Sequence, residues 1–184
     1  SMTRLSRTFF AALLAATVLA SPVPAQDMTD ADKEAIATRV ASFNEVIRSG
    51  NMGGTFDYMP PKLLTHLATQ FAMPEADLKT AMVEQMNTAF ETVTIESFGM
   101  DVEKASYATT ADGSRRYALI PTETVMAVEG AGKMQSKTHT LAVEDEGQWY
   151  LLRIDDAQQV AMIQAVYPEF AGVAFPTGTM AAVE

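Results

Sequence analysis

Apolar side chains recur along this chain with two periods, one in each half. From Thr29 to Ser49, Ile36, Val40, Phe43 and Ile47 fall at helical spacing and define one stripe. Thr29 stands at the N-cap position and Asp32 three residues on, as in a capping box, and Gly50 marks the exit. Pro61 suits the first position of a second helix, with Leu63, Leu64, Leu67 and Phe71 on its face. Pro74 opens a third, with Leu78, Met82, Met86 and Phe90 in line and Glu75 and Asp77 in its first turn.

From Thr92 onward the pattern changes to β-branched and aromatic runs separated by turn residues. Strands are expected over 92–98, 102–109, 115–128, 133–143 and 148–154, the third with a bend at Pro121. Asp155 or Asp156 caps a last helix carrying Val160, Ile163 and Tyr167, and Pro168 stops it. The fold class is therefore α+β: N-terminal helices packed on a four- to five-stranded antiparallel meander sheet, plus a C-terminal helix. Residues 26–167 form a single domain, and 168–184 read as an irregular tail.

Turn lengths set an expected register. A two-residue loop at Asp112-Gly113 and four-residue loops at 129–132 and 144–147 place Tyr107, Ala118, Ile120, Leu141, Val143, Tyr150, Leu152 and Ile154 on one face. Tyr117, Leu119, Ala142, Trp149 and Leu151 share the other. That second face is more apolar than a solvated sheet should be, so Trp149, Leu151, Tyr117 and Leu119 are candidates for a homodimer interface.

The first 25 residues have the layout of a secretory signal. Arg4 and Arg7 precede an apolar run from Phe9 to Ala20, too short to span a bilayer, and Val23 and Ala25 suit cleavage before Gln26. Ser1, ahead of Met2, reads as the remnant of a tag. The expected location is periplasmic or secreted. The sequence has no cysteine, so there is no lipobox, no disulfide and no thiol chemistry, and no membrane anchor is expected after cleavage. Removing 25 residues leaves 159 with a formal charge of −12. Such a chain lacks the clustered cations that displace phosphate counterions, and nucleic-acid binding is not expected.

Candidate chemistry is sparse. His139 lies on the Leu141/Val143 face, and the expected register brings Thr122 and Leu152 opposite it and Glu103 one strand further. A carboxylate-held histidine on a sheet wall could act as a general base. Glu123, Thr138 and Arg153 fall in one cross-strand row on the opposite face, as an ion pair or the edge of an anion site. His66 has no partner at helical metal spacing. Met82 and Met86 fit a core stripe, so neither metal nor other cofactor is expected. Nucleophile elbows, phosphate loops, dinucleotide fingerprints and zinc motifs are missing from the sequence.

Helices followed by a meandering sheet, closing on Gly147-Gln148-Trp149-Tyr150-Leu151-Leu152-Arg153, resemble exported domains of the NTF2-like (cystatin-like α+β) superfamily. The resemblance implies a curved sheet wrapped around a helix, with a small-molecule pocket in the cone between them. Here that pocket would be lined by the His139 face, with Glu103, Tyr107, Thr122 and Tyr150 as polar groups. The added C-terminal helix departs from the family pattern. The leading functional expectation is an exported, non-catalytic domain that binds a small ligand or a partner protein. The alternatives are a small isomerase or hydrolase using His139 with Glu103, and a homodimeric assembly module.

Overall fold

The computed structural model describes residues 27–184; the expected leader lies outside them. Among the described residues, four α-helices surround a curled six-stranded antiparallel sheet. Helix α1 spans Asp30–Arg48, and its capping box is formed as expected, with Thr29 and Asp32 bonding reciprocally. After a 3₁₀ segment, Met52–Tyr58, come α2 (Pro61–Gln70) and α3 (Glu75–Ala89). The strands are β1 (Val93–Met100), β2 (Ser106–Thr109), β3 (Arg116–Val128), β4 (Gly132–Asp145) and β5 (Gln148–Ile154). Helix α4 (Ala157–Val166) begins at Asp156, which forms a second capping box with Gln159.

The α+β architecture is as expected, with two changes. Residues 168–184 are not simply irregular. They make a 3₁₀ turn that buries Phe170 and a sixth strand, β6 (Thr179–Ala182), which pairs with β4 beyond the end of β5. The expected strand over 102–109 is broken by a 3₁₀ turn at Val102–Lys104. That break explains how Pro121 sits inside β3. Its carbonyl accepts from Asp101 N at 2.8 Å, in the gap between β1 and β2, so its missing N–H costs the ladder to β4 nothing.

Register is where the structure departs most from expectation. The β2–β3 register holds, with Tyr107 opposite Ala118. Between β3 and β4 the loop has three residues, because Gly132 adopts φ +80° and already pairs with Val128. This shift of one residue moves the β4 side chains to the opposite face relative to β3. Between β4 and β5 the loop is two residues, Glu146-Gly147, both at positive φ as a type I′ turn requires. That shift is by two and leaves the faces intact.

The corrected faces each have their own cover. Ala118, Ile120, Ala142, Trp149 and Leu151 pack under α1 through Ile36 and Val40. Tyr117, Leu141, Val143 and Ile154 pack under α4 and the following turn through Ile163, Tyr167 and Phe170.

Candidate functional site

Helix α1 is fixed at both ends over the curl. Near its start, Asp32 pairs with Arg116 at the beginning of β3. Burial alone would raise the Asp32 carboxyl, but hydrogen bonds from the Thr29 backbone and hydroxyl and the Arg116 charge outweigh it, and the group lies below its ordinary value. Farther along, Arg39 Nε donates to the Trp149 carbonyl at 2.9 Å, and the Phe43 ring meets Phe98 on β1 at 5.8 Å. The helix backbone thus lies nearer to β1 and β5 than to the central β3 and β4, which it meets through the side chains of Ile36 and Val40.

The sheet floor under α1 consists of neutral side chains, with small hydroxyl residues at its centre. Even-numbered positions 118–126 of β3 and 134–142 of β4 share the α1 face, and none is ionisable. Exposure rises steadily outward: Ala118, Ile120, Thr122 and Thr124 are 0, 0, 2 and 6% exposed, and Ala142, Thr140, Thr138 and Ser136 are 0, 2, 5 and 5%. Thr122 and Thr140 satisfy each other at 2.7 Å, and Thr122 also donates to the Ile120 carbonyl. The hydroxyls of Thr124, Ser136 and Thr138 make no hydrogen bond to protein among the described residues; the residues are largely covered, but their oxygens keep access to solvent. On α1, Asn44 follows Val40 by one turn on the sheet-facing stripe, and its Oδ1 is buried without a partner.

The residues expected to form a site are not brought together. Tyr107 and Thr122 lie on the α1 face, Tyr107 with the Lys33 ammonium 4.8 Å from its ring centroid. His139, half-buried, lies on the α4 face opposite Pro121 and Ile154, and Tyr150 lies on that face too. Glu103 is exposed in the 3₁₀ turn, and no hydrogen bond or ion pair joins it to His139 among the described residues. The sheet itself divides the expected pocket. The expected dimer surface is divided as well: Trp149 and Leu151 are buried under α1, whereas Tyr117 and Leu119 pack on the α4 side. Nor does the Glu123–Thr138–Arg153 row form. Glu123 pairs with Lys137, Arg153 with Asp155, and Thr138 stands opposite Thr122.

A second polar group, at the other end of the sheet, is saturated internally. Arg115 and Arg116 point to opposite faces, as do Glu144 and Asp145. Arg116 joins Asp32 to Glu144, and Arg115 joins Glu169, at 2.6 Å, to the Glu144 carbonyl. Tyr167 donates to Asp145 at 2.8 Å, and the Arg115 guanidinium stacks 4.5 Å from the Tyr167 ring centroid. Burial, then the bond to Asp145, push the Tyr167 hydroxyl well above the ordinary tyrosine range. Beside this group, Pro61, Lys62, Thr65, Asp145, Glu146 and Tyr150 line an open cleft of about 230 Å³. Lys62 lies 3.5 Å from Asp145, so this cleft offers no unpaired cation. Among the described residues no cluster of metal-ligating side chains forms, and no helix is long and apolar enough to cross a membrane.

No protein-family model, curated protein or solved structure matches this chain.

Proposed function

We propose that this is an exported binding domain that holds a small molecule on the concave floor between α1 and strands β3 and β4. The observation that carries the reading is the row of hydroxyls of Thr124, Ser136 and Thr138, on residues 6, 5 and 5% exposed, whose oxygens have no protein partner and keep access to solvent, under the helix that carries the buried, unpartnered carbonyl of Asn44. Leaving the buried Asn44 carbonyl unsatisfied costs about 1–3 kcal/mol. Water or a ligand supplies the missing partners. The enzyme alternative gains no support, because His139 and Glu103 are not joined.

Native mass spectrometry of the protein purified from its own host tests the proposal. A retained adduct of constant mass, lost in Thr138→Val, is the expected result. Bare polypeptide from both proteins, with no small molecule shifting the melting temperature of either, would overturn it.

A further inference from the structure

We infer that the molecule held on this floor is a small uncharged amphiphile, with its hydroxyl end on Thr124, Ser136 and Thr138 and its hydrocarbon body at the mouth of the curl; this rests on the binding reading above. Beyond the hydroxyls the same face continues as Met126 and Val128 on β3, Met134 on β4 and Ile95 on β1, all partly exposed. Met180 on β6, opposite Ser136, is 60% exposed. An antiparallel sheet face left to water is ordinarily polar. Here it is apolar and rich in methionine, whose unbranched thioether adapts to varied hydrocarbon shapes. From Thr124 to Val128 the strand covers about 13 Å, enough for a short chain to lie along it.

Charge selects the polar end. With no ionisable side chain on the floor, a carboxylate or ammonium would lose its water and find no counter-ion there. The nearest cation on this face, Arg153 opposite Thr140, is already paired with Asp155 at 3.2 Å. A neutral hydroxyl meets this requirement, since it can both donate to and accept from the threonine and serine hydroxyls.

The test is a titration of the full chain, carrying ¹³C-methyl methionine, with 1-octanol, octanoate and glycerol. Octanol is expected to move the Met126 and Met134 methyl signals saturably. Octanoate should bind about tenfold more weakly or worse, and glycerol should leave those signals in place. Thr138→Val should weaken octanol about fivefold, and Thr138→Ser should restore it. Octanoate binding as tightly as octanol would overturn the uncharged class. Hydroxyl compounds that bind with no gain from a hydrocarbon tail would overturn the amphiphile while leaving the binding site standing. Methyl signals that answer only to protein concentration would assign the mouth to a second copy of the chain and overturn the inference. No response to any probe, together with no retained adduct, would remove both readings.

Discussion

Replacing Tyr167 with phenylalanine deletes one oxygen from a buried hydrogen bond to a carboxylate. Tyr167 is 1% exposed and Asp145 8%. The hydroxyl donates to Asp145 Oδ2 at 2.8 Å, while Lys62 and Arg115 lie farther from that carboxylate, at 3.5 and 3.7 Å. A hydrogen bond to a charged acceptor contributes about 1.5–3 kcal/mol. For a domain of this size that is a fall of roughly 3–12 °C in melting temperature. The same bond gives a second, more selective readout. The raised folded value means that above about pH 10 the unfolded chain loses this proton and the native protein keeps it. Stability from this group is therefore complete below pH 10 and declines above it, by about 1.4 kcal/mol per pH unit. Urea denaturation followed by circular dichroism at pH 7 and at intervals from 9.5 to 11 would measure both effects. Tyr167→Phe should be less stable at pH 7 yet lose less on going to pH 11. A loss under about 0.5 kcal/mol at pH 7, with parallel alkaline profiles, would refute the assigned bond.

Three further outcomes follow from the same structure. Arg116→Met removes the ion-pair link between the start of α1 and the sheet and leaves Asp32 and Glu144 without their shared cation; a cost of about 3 kcal/mol in urea unfolding is expected, with hydrogen exchange accelerating first in the opening turns of α1. Glu146 occupies a left-handed conformation at φ +50°, so Glu146→Asn should stabilise the β4–β5 hairpin by about 1 kcal/mol, read as a rise in melting temperature. The lowered Asp32 value means that its contribution is present above the ordinary carboxylate range and lost as pH falls through the folded value; Asp32→Asn should flatten the acid limb of the stability profile below pH 4.

The sequence made the elements legible wherever a local rule acts alone. The Thr29–Asp32 and Asp156 caps, the proline starts of α2 and α3, and the span of β5 depend on neighbours three or four residues away. The site depends on register, and register turned on two backbone conformations. Gly132 at positive φ shortens one loop, and Glu146 at positive φ shortens the next, although glutamate is a poor residue for that region. Once the first slip is corrected, Thr122-x-Thr124 faces Ser136-x-Thr138-x-Thr140, and the alternate hydroxyls of two strands become one row. That alternation was visible in the sequence; its meaning was not, because a one-residue error sends the two runs to opposite faces. The adjacent arginines carried a similar hidden signal. Arg115-Arg116 opposite Glu144-Asp145 ties one helical layer to each face, a structural use of charge that composition alone does not distinguish from a basic patch.

High-resolution diffraction from crystals of the chain grown without additives tests the concave floor most directly. Ordered water or ligand atoms within hydrogen-bonding distance of Thr124 Oγ1, Ser136 Oγ, Thr138 Oγ1 and Asn44 Oδ1 are predicted. Side chains from α1 closing on those four oxygens, with no non-protein density between helix and sheet, would contradict it.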